Sequence, residues 1–215
     1  MMHPRLLATS IAVVIWGCGS AEAQTLVLGG RAGLTSATQW LNQPYFGYQR
    51  VHGTTAGVAA TLELGPYFAV QAEGLYVEKG ARYYTSYQMR MSYLEGSLLA
   101  RLSWPIASSR YRLFALGGMA PSVELRCAGY QTVNNPVVNF FDAPPGTSPL
   151  DCDSQRQRHT DRSQVMGGGL AFDRGPSQVT LEFRRTRGSD IAGYDCCQLR
   201  NDVTSFLLGV SRKLR

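Results

Sequence analysis

Beyond a short apolar opening, hydrophobic side chains recur at every second position. From Thr54 to Leu64 the even positions read Thr, Ala, Val, Ala, Leu, Leu, and the odd ones Thr, Gly, Ala, Thr, Glu. This is the period of a strand with two unlike faces. Gly65-Pro66 interrupts it. Phe68, Val70, Ala72 and Tyr76 then alternate with Gln71, Glu73 and Lys79, and Leu94, Leu98, Ala100 and Leu102 oppose Glu95, Ser97 and Arg101. Tyr111, Leu113, Ala115 and Met119, later Val123 and Leu125, stand opposite Arg112, Phe114 and Glu124. A Gly-rich segment, Gln164 to Phe172, alternates weakly. Val179, Leu181 and Phe183 oppose Thr180, Glu182, Arg184 and Thr186, and Phe206, Leu208 and Val210 oppose Ser205, Leu207, Gly209 and Ser211. With Gln24 to Leu34 as the first, the pattern predicts eight strands and an all-β fold.

The connections carry a second regularity. Gly65-Pro66, Pro105–Arg110 and Arg174–Ser177 are short, whereas Thr35–Arg50, Gly80–Gln88, Cys127–Thr160 and Ile191–Arg200 are longer. Short and long alternate, so every short turn falls at one end of the sheet. That asymmetry predicts an eight-stranded antiparallel up-and-down transmembrane β-barrel with short periplasmic turns and long external loops. Closure leaves no unpaired edge in the hydrocarbon layer. A soluble barrel puts its apolar face inward and a membrane barrel outward, and periodicity does not choose between them. The polar stripe is poor in the Lys and Glu of a soluble surface, and Tyr67, Tyr93 and Tyr111 stand at strand ends, where an interfacial girdle belongs. Both features select the membrane barrel. A soluble or lipid-anchored ligand-binding barrel is the alternative.

Export follows from the opening residues. Met1–Arg5 is a positive n-region, Leu6–Trp16 an apolar run too short to cross a bilayer as a helix, and Ala21-Glu22-Ala23 a small-x-small cleavage site. Residues 1–23 are thus expected to be a signal peptide and 24–215 the barrel, destined for the outer membrane. Lipidation of Cys18 is the competing reading of the same segment. Of 215 residues, 44% are hydrophobic and 17% charged, which excludes a disordered tail protein. The net charge of +6 is dispersed, and Lys79 and Lys213 are the only lysines, so no nucleic-acid partner is expected.

Several short segments resemble the outer-membrane β-barrel domain common in Bacteroidetes and related bacteria, often labelled the porin family. They are Val70-Gln71-Ala72-Glu73-Gly74-Leu75-Tyr76 followed by Lys79-Gly80, and Tyr93-Leu94-Glu95 followed by Leu98-Leu99-Ala100-Arg101. Leu113–Gly118, Leu181-Glu182-Phe183-Arg184 and the closing Phe206–Ser211 strand continue the likeness. The resemblance implies outer-membrane lipid and the outer-membrane assembly machinery as partners. It departs at the end of the chain, where Arg212-Lys213-Leu214-Arg215 replaces the usual terminal aromatic residue.

Candidate chemistry is sparse. Glu63, Glu73, Glu95 and Glu182, with Arg101, Arg112 and Arg184, fall on polar faces. In a narrow lumen they must pair, because a lone buried charge is very costly. They are expected to fill an eight-stranded barrel as a salt-bridge plug. A selective pore or proton path, or a passive small-solute porin, is the rival reading. Cys127, Cys152, Cys196 and Cys197 all fall in predicted long loops, as disulfide candidates of an exported protein, with three connectivities open. Asp151, Asp153 and His159 lie near them, yet no Cys-x-x-Cys spacing supports a metal site. His52 with Thr54 or Thr55 offers no base with an orienting partner, so neither catalytic residues nor a cofactor are expected; an outer-membrane lipid-modifying hydrolase is the enzyme alternative. Gly167-Gly168-Gly169 lacks the context of a phosphate loop and suits close strand approach. The long Cys127–Thr160 segment, with Phe140-Phe141 inside it, suggests a structural or surface-recognition role toward a ligand or partner protein.

Overall fold

A computed structural model describes residues 24–41, 48–83, 87–106, 110–132, 147–150, 159–194 and 197–214. Its eight long strands are β1 (Thr25–Leu41), β2 (Val51–Glu63), β3 (Phe68–Tyr83), β4 (Tyr87–Pro105), β5 (Tyr111–Thr132), β6 (Thr160–Arg174), β7 (Ser177–Tyr194) and β8 (Cys197–Leu214). Two short pieces, Tyr48–Gln49 and Thr147–Leu150, pair with β3 and β5. Each long strand pairs antiparallel with its sequence neighbours, and β1 pairs with β8, so the sheet closes.

Register fixes the shape. The paired residues Leu26, Leu62, Val70, Ala100, Gly117, Met166, Arg185 and Thr204 lead once round the barrel and meet β1 again at Ser36, ten residues from the start. Ten residues of about 3.3 Å against eight strands about 4.8 Å apart tilt the strands by roughly 40°.

The faces fall as a membrane requires. Val58, Leu98, Met166 and Leu181 point outward and are 59–66% exposed, whereas Gln71, Glu95, Lys79 and Glu182 point inward and are buried. On β4 the outward apolar stretch runs from Trp104 to Leu94, about 25 Å along the axis at this tilt, which matches a bilayer core. Tyr67, Phe68, Trp104 and Tyr111 border it at the short-turn end, and Tyr76 and Trp40 at the other. Tyr93 departs from the expected girdle. It shares the parity of Glu95 and is buried in the lumen at 2% exposure.

The strands overrun the predicted loops. β3 and β4 reach into Gly80–Gln88, and β7 and β8 into Ile191–Arg200. Cys127 consequently sits on β5 and Cys197 opens β8, in place of the loop positions expected for both. Cys127 is disulfide-bonded. Cys152 and Cys196 lie outside the described residues, as do Asp151, Asp153, Phe140-Phe141 and the segment 1–23.

Gly175 and Gly169 are two of the glycines under local constraint. Gly175, at φ 60°, makes the tight β6–β7 turn, where a side chain is unwelcome. Gly169 lets β6 pass under Phe114. A Cβ there would stand 2.1 Å from the Leu181 carbonyl and 2.8 Å from the Phe114 ring.

The charged lumen as candidate functional site

Alternation along eight strands sends every second side chain inward, where apolar clusters such as Leu99, Phe114, Leu116 and Val165 share the space with buried polar and charged groups. The charged groups pair in three tiers.

At the short-turn end, Arg112 on β5 donates through Nη2 to Glu63 of β2 (2.9 Å to Oε1) and to Asp173 of β6 (3.3 Å to Oδ1), with its Nε 2.9 Å from Asp173 Oδ2 in the same ion pair. Lys213 of β8 reaches Asp173 at 3.1 Å, and the Gln178 amide donates to the same carboxylate at 3.0 Å.

The middle tier is the tightest. Arg184 on β7 donates to Glu73 of β3 through Nη1 (2.7 Å to Oε2) and Nη2 (3.1 Å to Oε1), and to Glu182 through Nε (2.6 Å). Arg31 of β1 closes the ring, its Nη1 meeting both Glu73, at 3.1 Å, and Glu182. The two carboxylates are fully buried, so both charges depend on these guanidiniums. Gln71 donates to Glu73 at 2.9 Å. Arg101 lies beneath, its guanidinium 3.8 Å from the centre of the Phe114 ring and Nη1 3.5 Å from Gln71 Oε1.

Toward the long-loop end, Lys79 of β3 meets Glu95 of β4 at 3.0 Å and Asp161 of β6 at 3.6 Å, with its ammonium 4.7 Å from the Tyr93 ring centre. Asn201 donates to Asp161 at 3.1 Å. Met89, Met91 and Tyr93 pack together above, and Ala37, Val51 and Val203 form a second apolar cluster. Between the middle and outer tiers lies a void of about 10 Å³, lined by Thr55, Lys79, Glu95, Arg184, Thr186 and Ser205 among others. That is room for about one water molecule.

Of the seven residues expected to form the network, Glu73, Glu182 and Arg184 come together in the middle tier, Glu63 and Arg112 at the bottom, and Glu95 at the top. Arg101 is the exception. It is buried, yet among the described residues it pairs with an aromatic ring and an amide, not with a carboxylate. Arg31, Asp161, Asp173 and Lys213 complete the tiers and were not among the seven. Strand parity alone could have found Arg31 and Lys213. Asp161 falls between the expected Cys127–Thr160 loop and the strand from Gln164, and Asp173 beside the expected Arg174–Ser177 turn.

Among the described residues, His52 and the two threonines expected near it do not converge. His52 and Thr54 point outward on β2, Thr55 points inward and is buried, and Thr54 binds the Glu78 carboxylate through its N–H (2.7 Å) and hydroxyl (3.1 Å). Among the described residues no three His, Cys, Asp or Glu side chains are grouped as a metal would need.

A family model described as "Outer membrane protein beta-barrel domain" matches residues 22–188. No curated relative matches the sequence. Among solved structures, the outer membrane protein OprG from Pseudomonas aeruginosa superposes with a TM-score of 0.52 at 12% identity, covering 90% of this chain and 97% of that one. Neisserial surface protein A gives 0.47 at 8% identity, over 85% of this chain and 96% of that one. Ail, the attachment invasion locus protein of Yersinia pestis, gives 0.43 at 11% identity, over 87% and 98%.

Proposed function

The chain belongs to the outer membrane protein β-barrel domain family, and from that premise we propose that it is a non-conducting, non-catalytic surface protein, acting through its long external connections. The observation that carries this reading is the middle tier. Four charged side chains from β1, β3 and β7 fill the lumen with charge-assisted hydrogen bonds, and the void above them holds about one water. A passive small-solute porin needs a path that this ring occupies. The role is then structural or one of recognition, directed at a surface ligand or partner protein. A cleaved signal peptide over residues 1–23 delivers the chain to the outer-membrane assembly machinery, and disulfides brace the external connections. The bonded state of Cys127, near the long-loop end of β5, supports that bracing.

Planar-bilayer recording tests the reading. The refolded chain should insert without discrete conductance steps. Regular, ion-selective steps from the wild-type protein would support the porin in its place.

A further inference from the structure

We infer that the wall formed by β6, β7 and β8 carries a binding site for a phosphorylated lipid of the outer leaflet, its headgroup held by outward-facing arginines. The placement comes from register. Met166, Arg185 and Thr204 are paired across the three strands, as are Gln164, Arg187 and, beyond it, Asp202. Arg162 stands two residues above Gln164 on the same outward face of β6. Arg162, Arg185 and Arg187 are exposed, and so is Arg50, which precedes β2 and reaches across β1 to donate from Nη1 to Thr204 Oγ1 on β8 at 3.2 Å.

Immediately below them the wall turns apolar. Phe183 and Phe206 pack with ring centres 5.0 Å apart and planes tilted by 60°, flanked by exposed Met166, Leu181 and Leu208. A ten-residue stagger shared over eight strands moves level positions by about 1.25 residues per strand. On that measure Arg187 stands level with Tyr76 and Leu94 on the opposite wall, where the outward side chains are aromatic or apolar, and with Pro121 on β5, the ladder partner of Arg162. The arginines therefore sit at the upper edge of the hydrocarbon band, on one side of the barrel only.

Their hydrogen-bonding state points to an anion. Arg185 is held by Asp202, through Nε at 2.9 Å and through Nη2. The guanidiniums of Arg162 and Arg187 donate to nothing among the described residues, leaving five N–H donors each at headgroup height. Guanidinium matches phosphate in bidentate geometry, and a basic patch beside a membrane attracts anionic headgroups. A lipid satisfies both halves of the wall, with acyl chains on the Phe183–Phe206 platform and phosphate on the arginines. A free phosphate ion satisfies one.

The test uses the full folded chain in nanodiscs of phosphatidylcholine containing a small fraction of diphosphoryl lipid A, extracted in mild detergent and weighed by native mass spectrometry. The wild type should retain lipid A, with retention unchanged by millimolar inorganic phosphate. Arg162→Gln with Arg187→Gln should weaken that binding roughly thirtyfold, while unboiled samples keep their folded gel mobility. Arg82→Gln, an exposed arginine on β3 across the barrel, is the control and should leave retention unchanged. Equal retention by the double variant, equal loss in Arg82→Gln, or displacement by inorganic phosphate would each overturn the site.

Discussion

Replacing Arg184 by methionine is the sharpest perturbation of the lumen. Its guanidinium supplies three of the hydrogen bonds that hold Glu73 and Glu182, both fully buried. Without it, two carboxylates share Arg31 alone, and one buried negative charge is left uncompensated. Breaking a buried pair from one side costs about 3–5 kcal/mol. At a urea dependence of about 2 kcal/mol per molar, a loss of about 4 kcal/mol lowers the unfolding midpoint by about 2 M. Adding Glu182→Gln rebalances the tier, since Arg31 then faces Glu73 alone at 3.1 Å. The double variant should recover more than half of the loss, because the two sites are directly coupled. The assay is urea unfolding from lipid vesicles, followed by tryptophan fluorescence and by the heat-dependent gel shift. If Arg184→Met moves the midpoint by less than about 0.5 M, or if the second substitution adds its own loss in full, the tier is not the electrostatic unit described here.

Two further predictions probe the wall. Leu208→Arg places a charge near the middle of the lipid-facing band and should cost about 2–4 kcal/mol, whereas Leu214→Arg, at the short-turn edge, should cost about 0–1 kcal/mol; equal losses from the two, in the same vesicle titration, would contradict the assigned depth. Gly169→Ala should impair folding by about 1–3 kcal/mol, because its new methyl meets backbone, while Gly96→Ala enters open space and should be tolerated within about 0.5 kcal/mol.

Strand parity made most of the barrel readable from the chain. It set Leu94 against Glu95 and Leu181 against Glu182, and the structure keeps each on its expected face. Direction was the harder question, since alternation is blind to which face is dry; the scarcity of lysine on the polar stripe resolved it correctly. Strand ends were misjudged for a physical reason. Above the bilayer the outward face no longer needs to be apolar, so alternation fades at Glu78, Arg90 and Arg187 while the ladder continues. Cys127 and Cys197 lie in those polar extensions and so passed for loop residues. The same fading hid Asp161, and with it the upper tier. The place of Tyr93 at an expected strand end points to the girdle, whereas its parity with Glu95 places it inside. Arg101 escaped correct pairing because parity names the side of a wall and not the neighbour across a lumen.

The most direct measurement of the account is made on washed membranes from expressing cells. These are extracted with urea or carbonate, and the fractions are run boiled and unboiled on a denaturing gel. A barrel with charges inside and Val58, Leu98 and Leu181 against lipid stays in the pellet and migrates differently before and after boiling. Release of the folded chain into the soluble fraction, with one mobility under both conditions, would contradict it.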